Sequence, residues 1–253
     1  MHLLTQSREY LGRKLASYLS QPVIDNVHIT TCKPESLANT LQKGDILLVE
    51  GVSRFSSAIK YITQSTWSHA TLCVSKNEGQ ELLEADVLDG VRIVPLSDYW
   101  QLHTRICRPI GLSPSEIDEL VGFALSSLGH QYDLKHIFDL ARFLIRTPPV
   151  PIRMRRRLLS LGSGDPTRAI CSSLIAKSFQ SIRYPILPEK GVLPKESTAQ
   201  SNYQKECFHI RHHSLFAPRD FDISPYFQII KPTLEQGFDP HKFSWNCSLD
   251  GFK

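Results

Sequence analysis

The sequence predicts an α+β domain, an antiparallel sheet packed with helices, and three observations predict it. Short apolar runs bounded by turn residues crowd between residues 45 and 96. Two of them, "SHATLCVS" and "QELLEADV", are separated by the turn-prone "KNEG" and read as a hairpin. Segments of helical spacing lie before, among and after these strands, the last beginning at Cys171 in "RAICSSLIAKSF".

Taken in order, Leu4, Leu11, Leu15, Tyr18 and Leu19 share one face, which predicts an amphipathic helix over 3–20 ended by Pro22. Residues 21–42 are mixed and read as loop. "KGDILLVEG" is a turn and a buried strand over 45–50, because a glycine-bounded apolar run of that length is too short for a helix. Phe55, Ile59 and Ile62 follow a serine start at helical spacing. The hairpin comes next, then a third strand in "GVRIVPL". "SPSEIDELVGFALSSLG" has a helix-start pattern, acids in its first turn and a terminal glycine. "YDLKHIFDLARFLI" is helical until Pro148 and Pro149, and a basic, proline-led connector follows. Residues 1–40 therefore read as a helix and loop, 41–185 as the main domain with a basic insert at about 142–165, and 186–253 as a proline-rich segment packed on the core.

The 253 residues, 41% hydrophobic, are enough for one well-filled core. A net charge of +4 is too small to argue for nucleic acid, and no nucleic-acid partner is expected. No apolar run is long enough to span a bilayer, and Arg8, Glu9, Arg13 and Lys14 interrupt the start where a secretory signal would be unbroken. The expected location is cytoplasmic, with peripheral attachment to an anionic membrane surface as an open alternative. Cysteines at 32, 73, 107, 171, 207 and 247 are too scattered for a disulfide framework or a zinc site, so neither metal nor cofactor is expected. Walker, dinucleotide and nucleophile-elbow patterns are missing.

Chemistry points to Cys171. A thiol attacks carbonyls as thiolate, and a helix N-terminus lowers its pKa while offering N–H groups to an oxyanion. A packed core thiol is the competing reading. His69, inside an apolar strand, is the candidate base. Alternation puts His69, Thr71 and Cys73 on one face. A hairpin centred on Asn77 and Glu78 pairs His69 with Asp86 and Thr71 with Glu84, so both acids share that face, Asp86 as direct neighbour and Glu84 as diagonal one.

The ordered set "GDILLVEG", "SHATLCV", "LLEADVLDGVRIVPLSDYW", "GHQYDL", "ICSSLIAKSF" and "FAPRDFDISPYFQII" resembles the permuted papain-like cysteine hydrolases of the NlpC superfamily, in the YiiX/YaeF-like group. The resemblance spans roughly 41–230 and implies a circularly permuted papain-like fold in which histidine precedes cysteine. It implies Cys171 as nucleophile, His69 as base and Glu84, rather than Asp86, as the third member. It also places Tyr132 and Asp133, the "YD" step, beside the site; Trp67 and Ser172, flanking the two central residues, are further candidates for substrate binding.

The expected function is a thiol hydrolase or acyltransferase that opens an amide or ester through an acyl-enzyme. A peptide amidase on cell-wall fragments would need an export route that this start does not show. Arg142, Arg146, Arg153, Arg155, Arg156 and Arg157 lie among Phe143, Leu144, Ile145, Leu158 and Leu159, a mixture that suits an anionic membrane as well as a solvated face. The reading leans to a lipid acyl substrate. A non-catalytic membrane- or partner-binding module on the same fold is the alternative from another class.

Overall fold

The structure is a computed structural model and describes residues 18, 21, 32–76, 80–86, 89–130, 170–187, 189–190, 208–209, 212–235, 237, 239 and 241. Its centre is β1 (Ile46–Val49), flanked by β2 (His69–Ser75) on one side and β5 (Thr104–Pro109) on the other. β3 (Glu81–Asp86) and β4 (Gly90–Pro95) extend the sheet beyond β2, and β8 (Phe227–Ile230) extends it beyond β5. The order β4-β3-β2-β1-β5-β8 is antiparallel throughout. A separate pair joins β6 (Glu189–Lys190) to β7 (Phe208–His209).

A central strand covered on both faces must be apolar at every position, and all four residues of β1 are buried. Ile46 and Leu48 face one cluster, which includes Ala70, Leu72, Leu83, Leu120, Leu174 and Phe179. Leu47 and Val49 face the other, with Leu37, Leu41, Leu82, Tyr99 and Ile106. The first cluster is capped by α3 (Pro114–Leu125) and α4 (Ile170–Ser181), the second by α1 (Pro34–Thr40). Phe179 of α4 is fully buried, its ring 5.1 Å from Phe227 and 5.4 Å from Tyr184. Burying such a side chain contributes roughly 1.5–3 kcal/mol, so Phe179 anchors the C-terminal end of α4 while Leu174 and Ile175 bury against the sheet nearer its start.

Helix boundaries follow the expected chemistry. α2 (Arg54–Thr63) starts where the Ser53 side chain accepts from the Ser56 N–H. α3 starts with a capping box between Ser113 and Glu116 and a proline in its first turn; Gly129, past its end, has φ +77°.

Two assignments need correction. Residues 34–40 are helical rather than loop, since Pro34 opens the turn and Leu37 and Leu41 bury beneath the sheet. Seven residues carry too little periodicity to announce a helix. Strands β5 and β8 also went unassigned. Arg105 and Arg108 interrupt the apolar pattern of β5, but each is neutralised inside the fold: Arg105 by Asp222 at 2.7 Å, Arg108 by both oxygens of Asp45 at 2.7 and 2.8 Å. Apart from Tyr18, the expected helix over 3–20 lies outside the described residues, as do the expected helix over 132–145 and the basic insert. Among those described, no helix is long and apolar enough to cross a membrane.

Candidate active site

The hairpin register has the expected sum, with Leu72 opposite Leu83 and Cys73 opposite Leu82, before slipping at Ser75 and Glu81. The ladder between β2 and β3 ends at Leu72 and Leu83, however, and does not extend to His69 and Asp86. Backbone pairing between the two strands thus stops short of His69, and the site forms beyond the last pair. His69 Nε2 donates to Glu84 Oε2 at 2.9 Å. The expected cross-strand pairing of His69 with Asp86 is therefore corrected: Asp86 Oδ1 instead accepts the backbone N–H of Asp89 in the turn to β4.

Cys171 is the second residue of α4 and is buried. Its sulfur is hydrogen-bonded to His69 and accepts from the backbone N–H groups of Ala70 and Ser172. With Nε2 committed to Glu84, Nδ1 is the ring nitrogen left for the thiol. Burial opposes ionisation of Cys171, but the His69 charge and hydrogen bond, followed by the two backbone donors, hold its pKa below the ordinary thiol value. The other described cysteines go the opposite way: burial pushes Cys73 up to about 12 and raises Cys32 and Cys107. Among the four described cysteines, only Cys171 is favoured as thiolate.

His69 is correspondingly held as imidazolium. Burial lowers its pKa, but the charge and hydrogen bond of Cys171, then those of Glu84, outweigh that and raise it to about 10. Glu84 is 6% exposed. Burial again opposes its charge, and hydrogen bonding and charge from His69, then hydrogen bonds from Tyr99 and Arg92, bring it down to about 2. Tyr99 Oη donates to Oε2, and Arg92 Nε donates to Oε1 at 2.8 Å. Sequence reasoning missed both. Arg92 stands directly opposite Glu84 on β4, a cross-strand pairing readable only once that register is known. Tyr99 ends a 3₁₀ turn over Leu96–Tyr99 and carried no pattern of its own.

A cavity of about 280 Å³ opens onto these groups. Val49, Phe55, Ile59 and Leu102 supply apolar wall, while Asp86 and Asp98 bring carboxylates to it. Gly51 forms part of the lining, with its N–H donating to Ser68 Oγ at 2.9 Å. The side chains of the two flanking candidates are engaged elsewhere. Trp67 is 3% exposed, donates through Nε1 to Asp222 at 3.1 Å and lies under the Arg105 guanidinium. The Ser172 hydroxyl donates to the Phe216 carbonyl at 2.7 Å. Tyr132 and Asp133 lie outside the described residues. Among the described residues, no cluster of His, Cys, Asp and Glu has the grouping of a metal site.

Residues 40–142 match the family model of the permuted papain-like amidase enzymes, YaeF/YiiX, C92 family. The chain resembles the YaeF/YiiX permuted papain-like amidases. With that match the enzyme class is cysteine hydrolase, on an α+β fold of the permuted papain-like arrangement. The matched stretch includes His69 and Glu84 and ends before Cys171. Among solved structures, the chain is similar to the metalloprotein YiiX from Escherichia coli O157:H7, at 20% identity over 75% of this chain and 96% of that one, with a TM-score of 0.47. Comparison with curated proteins finds no match.

Proposed function

We propose that the chain cleaves an amide or ester through an acyl-enzyme on Cys171, with His69 as general base and acid and Glu84 as the group that orients His69. One observation carries the reading: the imidazole of His69 bridges a buried carboxylate and the single described thiol whose ionisation is favoured. The thiolate attacks the carbonyl carbon, and the carbonyl π electrons move onto oxygen, held by first-turn N–H groups of α4. Collapse of this intermediate expels the leaving amine or alcohol, which takes the His69 proton. Water, or another acceptor, then attacks the thioester while His69 accepts its proton, and the thiolate is restored.

The acyl side of the substrate is read as lipid. The apolar wall from Val49, Phe55, Ile59 and Leu102 suits an acyl chain more than a polar peptide. Treatment with a thiol-reactive acyl probe, followed by peptide mass spectrometry, tests the chemistry. Labelling is expected at Cys171 and is expected to fall in His69→Ala; labelling at another cysteine, indifferent to His69, would count against it. Fatty acid release from mixed phospholipid vesicles, compared with cleavage of cell-wall peptides, tests the lipid reading.

A further inference from the structure

Glu84 is a demanding choice for the third member of such a site. A carboxylate hydrogen-bonded to an imidazolium can take the proton itself, leaving a neutral pair and a thiolate without a counter-ion. An ionised carboxyl group accepts only, with about four lone-pair sites on two oxygens, and a nearly dry one is costly unless those sites are filled. Here the filling is specific. Oε1 receives Arg92 Nε, and Oε2 is shared between His69 Nε2 and Tyr99 Oη.

We propose that Tyr99 and Arg92 are positioning residues for the Cys171–His69 pair, acting through Glu84: Arg92 fixes the carboxylate plane, and Tyr99 shares Oε2 so that the proton stays on His69. The inference rests on the triad reading above and extends it to five residues. Tyr99 is suited to the task in three ways. The residue is 7% exposed, so the hydroxyl has little access to water. Burial and the Glu84 charge push its own pKa far up, so it remains a donor wherever the protein is folded. Its ring also lies alongside the imidazole, with centroids 6.2 Å apart and planes 23° from parallel, while Oη is 3.4 Å from Nε2.

Arg92 works from the solvent side. Its side chain is 44% exposed, and it also donates to Asp89. Asp86 adds a further negative charge near the guanidinium. The charged and titratable groups that face Glu84 are thus His69 from β2, Arg92 from β4 and Tyr99 from the 3₁₀ turn, with Cys171 beyond the imidazole and Asp86 and Asp89 beyond the guanidinium. Two donors on the carboxylate lower its basicity toward the third.

The test uses the full chain with ¹³C-labelled glutamate. The Glu84 carboxyl is titrated by NMR in the native protein, in Tyr99→Phe and in Arg92→Gln, and turnover of a fluorogenic acyl anilide is measured alongside. Tyr99→Phe is expected to raise the Glu84 midpoint by about one pH unit or more and to lower kcat about tenfold with KM nearly unchanged. Arg92→Gln is expected to move the midpoint in the same direction by less, because its site is open to water, and Arg92→Lys to restore part of the shift. A folded Tyr99→Phe protein with native midpoint and native kcat overturns the inference. Should Tyr99→Phe fail to fold, an unmoved midpoint in Arg92→Gln does the same. Full turnover by Cys171→Ala would instead sink the triad reading, and the Glu84 titration remains readable in that variant.

Discussion

Replacing Glu84 by Gln keeps the size of the side chain and removes its charge, so it isolates what the carboxylate does for His69. His69 rises from an ordinary 6.5 to about 10 against the cost of its burial. Cys171 supplies the larger part of that rise and Glu84 the smaller. An opposite charge at 2.9 Å in a largely dry site commonly favours the ionised partner by about 1–3 pH units. Because the Cys171 contribution survives, the imidazolium in Glu84→Gln should lose its proton about 1–2 units lower than in the native protein, still above 6.5. The sign follows from the raised pKa: the stabilised form is the protonated one, so the lost interaction is felt as pH rises. The proton needed by a leaving amine then disappears earlier, and the alkaline limb of acyl anilide hydrolysis moves down by the same interval. The assay is the pH dependence of kcat/KM, paired with ¹⁵N NMR of the His69 ring. If the alkaline limb and the imidazole titration both stay near 10 in a folded Glu84→Gln protein, Glu84 does not support the imidazolium.

Other outcomes follow from the same geometry. Cys171→Ser should lose at least about a thousandfold in turnover, since an alcohol next to the same imidazole stays protonated, and single-turnover measurements check this. Alkylation at pH 7 should modify Cys171 ahead of Cys73, which burial pushes up to about 12, a preference read by peptide mass spectrometry. Acid should weaken the fold through Glu84: its pKa is lowered from 4.5 to about 2, so its contribution is complete above the unfolded value and is lost as pH falls through that window. The size is ~3 kcal/mol, to be measured as the change in urea unfolding free energy between pH 5 and pH 2 in native protein and Glu84→Gln. Phe179→Ala should cost about 3–5 kcal/mol in the same unfolding assay.

How far the site could be read beforehand depended on which interactions were local. Cys171 was legible because a serine-rich start before Leu174, Ile175 and Phe179 announces a helix with the thiol in its first turn. His69 was legible because a histidine inside an apolar strand has no ordinary reason to be there. The hairpin sum was also right as far as Leu72 and Leu83. The resemblance favoured Glu84 over Asp86, whereas the residues alone could not choose between them without the point at which the ladder ends. Pairing of Arg105 with Asp222 and Arg108 with Asp45 joins distant segments, so β5 looked too charged to be a central strand. Tyr99 was hidden for the same reason, since its partner Glu84 lies two strands earlier.

The place where pairing between β2 and β3 ends bears on how these groups meet. His69 shares the face of β2 that carries Cys73, toward the α1 side of the sheet, whereas Leu174 and Ile175 of α4 pack with Ala70 and Leu72 on the other. A helix and a histidine on opposite faces of a continuous sheet would be kept apart by the strand between them. At the start of β2 the edge toward β3 carries no ladder pair beyond Leu72. The Ala70 N–H, not used by β3, is given to the Cys171 sulfur. Closing this edge should therefore cost reactivity before it costs stability. A disulfide engineered across the open end, between Ala70 and Ala85, should leave the fold intact and slow Cys171 alkylation by at least about tenfold until it is reduced. Equal alkylation rates in the oxidised and reduced forms would show that the unpaired edge has no part in exposing the thiol.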